Sequence, residues 1–133
     1  MILVQQAYTI LYINDEYFGL HVLLDSIKLS WVEKKYDDKD SAYLYHCDAG
    51  GCFMNENCKY TCENQNEEVT DNTEFAEFLK KIDHATSAEE IEEYFNVENF
   101  LYEAAYEYLA GGWDHFFHPG HNFDIYKKSN GIW

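Results

Sequence analysis

The sequence predicts a single α+β domain, and three observations carry that prediction. The first third alternates like strands, and the middle repeats its apolar residues at helical spacing. A polar, glycine-bounded loop then separates the last helix from a final strand and turn. A chain of 133 residues has room for one domain with a real core. An apolar share of 47% and an aromatic share of 18% exclude a disordered chain, and no repeat or low-complexity tract interrupts it.

The elements follow in order. In AYTILYI, Tyr8, Ile10 and Tyr12 share one face and Thr9, Leu11 and Ile13 the other. Both faces are largely apolar, which predicts a strand covered on both sides. Asn14-Asp15 is a tight-turn pair, because short polar side chains tolerate left-handed backbone, and FGLHVLL completes a β-hairpin. A short helix is expected through about Lys35, with Asp25 or Ser26 as its cap. SAYLYHC reads as a further strand.

Asp71 with Glu74 predicts a capping box for TEFAEFLKKID, where Phe75, Phe78, Leu79 and Ile82 fall on one face. Ser87 with Glu90 caps a second, short helix, AEEIEEYF, and Asn96 a third. In that third helix Val97, Phe100, Leu101, Ala104, Ala105, Tyr108 and Leu109 form the strongest apolar stripe of the chain, which predicts close packing. Gly111 and Gly112 stop it. Beyond the loop, NFDIY reads as a strand and Asn130-Gly131 as a hairpin turn into Ile132-Trp133. A second strand of two residues is unfinished, which predicts a chain cut within a longer domain.

Four cysteines, Cys47, Cys52, Cys58 and Cys62, are spaced C-x4-C-x5-C-x3-C. Zinc knuckles favour C-x2-C pairs, so two disulfides stapling a polar surface loop are expected, with three possible pairings, the alternative being four free thiols in a cytosolic protein. Disulfides imply an oxidising compartment. The opening MILVQQAYTILYINDEYFGL lacks the basic start of a signal peptide, and no segment approaches the ~20 apolar residues of a membrane helix. A signal for export is therefore expected to lie outside this chain.

The net charge is −16. Such a chain repels phosphate backbones, so no nucleic-acid partner is expected. A protein that mimics DNA would be as acidic, but its carboxylates would run along an extended face. Here many cluster on two short helical segments, which reads as a solvated surface. The 12 tyrosines imply a wide, partly wet surface, since each hydroxyl seeks a polar partner.

Chemistry concentrates in GGWDHFFHPGHNFDIY, from Gly111 to Tyr126. His115, His118 and His121 beside Asp114 could supply zinc ligands, although Phe116, Phe117 and Pro119 oppose one convergent face. The order of the chain is also that of protein-kinase-like enzymes. In those, an aspartate sits just past a helix and an asparagine follows before a strand.

The stretch NVENFLYEAAYEYLAGGWDHFFHPGHNFDIYKKSNGIW resembles the C-terminal signature of the CotH family. That family is named for a spore-coat protein and regarded as atypical secretory protein kinases. The matching residues are Asp114, the pair His121-Asn122, Phe123 to Tyr126, Asn130-Gly131 and Trp133. LYINDEYFGLHVLLDSI is similar to the family's hairpin and following helix, and YDDKDSAYLY to its next strand. The resemblance covers nearly the whole chain apart from the cysteine segment. That segment, with the tyrosines, looks more like the fungal cell-surface members than the bacterial ones.

The resemblance implies transfer of phosphate from ATP to a protein hydroxyl, with Mg2+ or Mn2+. Asp114 would orient and deprotonate the acceptor hydroxyl, and Asn122 would hold a metal ion. The organisation implied is a partial kinase-like domain over 1–133. It has a strand-rich part over about 1–46, a cysteine-rich insert over about 47–66, and helices with a loop–hairpin over about 70–133. The family's second metal-binding aspartate would follow Trp133 and its phosphate-contacting region would precede Met1. A fragment inactive alone is therefore expected, from a secreted or cell-surface protein of unknown protein substrate. His46 stands where the family has a lysine, and Asp25 where it has a glutamate-like residue. These departures suit an alternative, a non-catalytic surface adhesin on the same fold.

Overall fold

The computed structural model describes residues 5–40, 43–48 and 50–133. Residues 1–4 of the opening segment, 41–42 of the predicted SAYLYHC strand and 49 of the cysteine segment lie outside the described residues. The fold is mixed α+β, with two small antiparallel sheets and several helices. No helix among the described residues is long and apolar enough to cross a membrane.

Strands β1 (Gln6–Ile13) and β2 (Glu16–Leu24) form the predicted hairpin. Asn14 and Asp15 both take positive φ, 51° and 66°, as a two-residue turn requires. The register slips between Leu11 and Tyr12, next to Gly19 at φ 106°. The expected double cover is absent among the described residues. Tyr8 is 79% exposed, and Ile10, Tyr12, Leu20 and Val22 are exposed as well. Alternation marks both faces as apolar, but a two-stranded ribbon has no layer of its own to bury them.

Helix α1 (Leu29–Tyr36) begins without a side-chain cap. Neither Asp25 nor Ser26 supplies one; Asp25 accepts the Gln5 N–H instead and closes the hairpin base at 3.1 Å. The far end of α1 meets the tail of the chain. Tyr36 stacks on Tyr126 at 5.5 Å, and Asp38 accepts the Ser129 N–H at 2.9 Å. That bond holds the Asp38 carboxyl below its ordinary pKa.

The second sheet is ordered β4-β3-β5, with β3 (Leu44–Cys47) between β4 (Cys62–Asn64) and β5 (Phe123–Tyr126). The cysteines pair Cys47–Cys62 and Cys52–Cys58, one of the three arrangements open to the sequence. The segment they staple is not simply a surface loop. All four cysteines and Met54 are buried, and Cys62–Asn64 supplies the edge strand.

Helix α2 (Thr73–His84) lays Phe75, Phe78 and Leu79 into the core, as its spacing predicts. The capping box does not form. Asp71 accepts the N–H and hydroxyl of Thr73, while Glu74 reaches Lys127 beyond β5. Helix α3 (Ala88–Glu92) is capped by Ser87, and α4 (Val97–Ala110) by Asn96, as expected. The close packing expected of the apolar stripe of α4 is not found: no residue of α4 is buried, and Tyr108 and Leu109 are 87% and 83% exposed. Of the stripe, Phe100 and Ala104 line a cavity, together with Asn99, Glu103 and Glu107.

Trp133 completes the core. The Asn130-Gly131 turn forms, with Lys128 N–H on the Ile132 carbonyl at 2.8 Å. The predicted second strand does not extend from it. Trp133 donates to the Tyr94 carbonyl and accepts from Asn96, so it pairs with the α3–α4 link. Its ring stacks on Phe78 at 4.7 Å, and Tyr45 stacks on Phe75 at 3.8 Å. Such pairs add roughly 1 kcal/mol each beyond the area they bury. Tyr45 donates its hydroxyl to Asn72 at 2.7 Å, and burial pushes its pKa up to about 12.

Phe75 is 1% exposed and touches Tyr45, Phe78 and Trp133. Phe75→Ala is expected to lower the unfolding free energy by about 3–5 kcal/mol in urea melts. A loss under about 1 kcal/mol would place the core elsewhere.

Candidate functional site

The polar loop starts where α4 stops. Gly111, at φ 68°, donates to the Tyr108 carbonyl, and Gly112 donates to that of Glu107 at 2.8 Å. This closing motif satisfies the last helical carbonyls and needs left-handed backbone at its turn, which glycine supplies without cost. Trp113 and Asp114 leave the helix end directly afterwards.

Residues 115–121 fold around one carbonyl. His115 and His118 exchange backbone hydrogen bonds at 3.2 Å, and the Gly120 N–H also meets the His115 carbonyl. Phe116 anchors the loop from inside, packing edge-on against Phe100 at 5.4 Å and Phe123 at 5.2 Å. From outside, the cysteine segment grips it: Gly51 and Cys52 donate to the carbonyls of Pro119 and Gly120, each at 2.9 Å.

Asp114 and Asn122, eight residues apart, meet at this site. The Asn122 side-chain amide donates to the Asp114 backbone carbonyl at 2.8 Å and to its Oδ2 at 3.2 Å. His121 reaches Asp114 Oδ1 through Nε2 at 2.7 Å. Asn122 sits at φ 55°, a conformation asparagine tolerates better than most residues. The Asp114 side chain remains 49% exposed, so a ligand can approach it from solvent.

The three loop histidines do not converge. His115 Nδ1 faces the Asn122 carbonyl, His118 Nδ1 that of Trp113, and His121 Nδ1 that of Asp48. Each ring is thereby turned toward a different part of the backbone. The His/Cys/Asp/Glu groups close enough to hold a metal, among the described residues, are Cys47/Cys52/Cys62 and Glu56/Asp83/His84. The first is already joined in disulfides.

Next to the site lies an open cavity of about 800 Å³ between α4, α1 and the β3–β5 face. Asn122, Asp124, Glu103 and Glu107 contribute polar groups to its wall. Asp124 pairs across the strands with His46 at 2.9 Å. Burial raises the Asp124 pKa and the hydrogen bond to His46 opposes that rise. Tyr36 is raised too, by burial and then by the charge of Glu103.

Sequence reasoning marked Asp114 and Asn122, and the structure brings them together. It missed the His46–Asp124 pair, because residues 78 apart reveal no shared register. It also missed the grip of the cysteine segment on the loop. One signal was present in Gly120, where a Cβ would lie 2.7 Å from the Cys52 carbonyl. Glycine at such a position marks a close backbone approach.

Asp124→Asn isolates the acid titration of the pair. A carboxyl whose folded pKa is raised contributes stability below its ordinary range and loses it as pH rises through the raised value. The stability of the wild type relative to Asp124→Asn should therefore fall as pH rises upward from the ordinary aspartate value of about 4. Urea melts across that range check it, and a difference that grows with pH would contradict the buried-carboxyl account.

A family model described as CotH kinase protein matches residues 3–133. No curated protein and no solved structure matches the chain.

Proposed function

The chain belongs to the CotH kinase protein family, and from that premise we propose that it is the catalytic-loop part of an atypical protein kinase that phosphorylates protein hydroxyls from ATP. Membership points to a kinase-like fold and function, with use of a nucleotide and a divalent metal. The observation that carries the finer reading is the meeting of Asp114 and Asn122 where α4 ends.

Phosphoryl transfer demands positioning and neutralisation of charge more than covalent chemistry. The residues fit a hard cation such as Mg2+ or Mn2+, because both side chains offer oxygen. Asn122 commits its amide nitrogen to Asp114, which leaves the amide oxygen as the end able to meet a metal. When bound, the metal–nucleotide pair supplies the phosphoryl group and screens its charge. Asp114 orients the acceptor hydroxyl and takes its proton, and the exposed side of its carboxyl admits a protein chain. The interval of eight residues exceeds the roughly five of ordinary kinase loops. The extra length is taken up by the turn around the His115 carbonyl.

In this reading residues 1–46 and 70–133 are the strand and helical parts of the domain, and 47–66 is an insert. Two disulfides suit secretion or display at the cell surface.

A second reading, a non-catalytic surface binding module, is favoured by His46. It stands at the lysine position of the resemblance and is engaged by Asp124. Nucleotide binding by a protein that carries the whole domain separates the two: the kinase reading expects an ATP- and Mn2+-dependent rise in melting temperature, and the binding-module reading expects none.

The chain is expected to be inactive alone, so the test is made in a protein that supplies the rest of the domain: there Asp114→Asn is expected to cut phosphate incorporation into protein by about 100-fold or more while leaving the melting temperature near wild type. Activity that survives this substitution would remove Asp114 from the chemistry.

A further inference from the structure

The proposed base does not hold its own position. His121 spans two anchors, with Nε2 on the Asp114 carboxylate at 2.7 Å and Nδ1 toward the Asp48 carbonyl at 3.2 Å. Asp48 directly follows Cys47, whose disulfide to Cys62 ties β3 to β4. The neighbouring residues Gly51 and Cys52 hold Pro119 and Gly120 by two backbone hydrogen bonds, and Cys52 is itself bonded to Cys58. Gly120 leaves no room for a side chain against the Cys52 carbonyl and the Phe53 ring. The His121 ring thus leaves a backbone already gripped on one side and meets Asp114 on the other. At 21% side-chain exposure it is more enclosed than the carboxylate it contacts.

We propose that His121 is a positioning residue, transmitting the rigidity of the disulfide-closed segment to Asp114 and so to Asn122. The cysteine segment then acts as a buttress of the site. This inference rests on the kinase reading for its consequence but not for its geometry. Partners of this kind, one shell behind a metal or reacting group, typically alter affinity or rate by about 10- to 100-fold when removed.

Two substitutions separate the two ends of the ring. His121→Gln can place an amide N–H near the Nε2 position and keep the Asp114 contact. His121→Asn can place one near the Nδ1 position and keep only the Asp48 contact. The first readout needs no activity: solvent exchange of the Asn122 side-chain amide protons, followed by NMR in the metal-free, oxidised protein. The second is Mn2+ affinity by titration calorimetry, and melting curves check folding.

The Gln variant is expected to stay within about threefold of wild type in both readouts, and the Asn variant to exchange these protons about tenfold faster and to bind Mn2+ about tenfold more weakly. Equal loss in both variants, or wild-type values in His121→Asn with an unchanged melting temperature, would overturn the proposal. Where His121→Asn does not fold, the ring proton on Nε2 decides. A slowly exchanging signal that is lost in Asp114→Ala supports the bridge, and one indifferent to Asp114→Ala overturns it. A wild-type protein that binds no Mn2+ yet shows the expected amide pattern would defeat the metal reading and leave the positioning role standing.

Discussion

The structure depends on one four-residue strand. Leu44–Cys47 is the middle strand of its sheet, with β4 and β5 paired on either side. Its alternation divides the molecule. Tyr45 and Cys47 face the buried aromatic and disulfide layer on α2, while Leu44 lines the open cavity and His46 meets Asp124. A strand paired on both sides leaves its backbone groups satisfied within the protein, so its side chains can meet different environments on its two faces. Sheet, disulfides and aromatic core converge on this element, and the candidate site hangs from its neighbours.

The loop of Asp114 and Asn122 gains order from three directions. The end of α4 fixes its start, β5 fixes its end, and the cysteine segment grips its middle. A polar loop holding its own shape by side-chain contacts alone would pay a large entropy cost. Here backbone hydrogen bonds to residues 51 and 52 carry part of that ordering, and those residues are constrained by a disulfide. The cysteine segment is thus tied by backbone hydrogen bonds to the loop that carries Asp114 and Asn122.

The surroundings are acidic in keeping with the whole chain. Asp124, Glu103 and Glu107 border the cavity beside the site, where burial raises Asp124 and Tyr36 from their ordinary values. Carboxylates in a partly enclosed wall favour either a shared proton or a cation. On this wall Asp124 is hydrogen-bonded to His46 at 2.9 Å. Asn122 lines the same cavity.

Local signals in the sequence determined much of the architecture. The Asn14-Asp15 turn, the buried face of α2, the Ser87 and Asn96 caps and the Gly111 stop all depend on residues within a turn or two of one another. Asp114 and Asn122 were legible through the resemblance to the CotH signature, whose helix end, aspartate, His-Asn pair and following strand lie along the chain itself. What tertiary structure alone decided involves partners far apart or missing neighbours: the cysteine pairing, the His46–Asp124 register, the grip on Gly120, and the docking of Trp133 on the α3–α4 link instead of β5. Periodicity also promised cover for the hairpin and the outer stripe of α4, which remain exposed among the described residues. The physical reason is common to all of these. A residue pattern states which faces and groups seek partners, whereas only the path of the chain in space determines which partner each one meets.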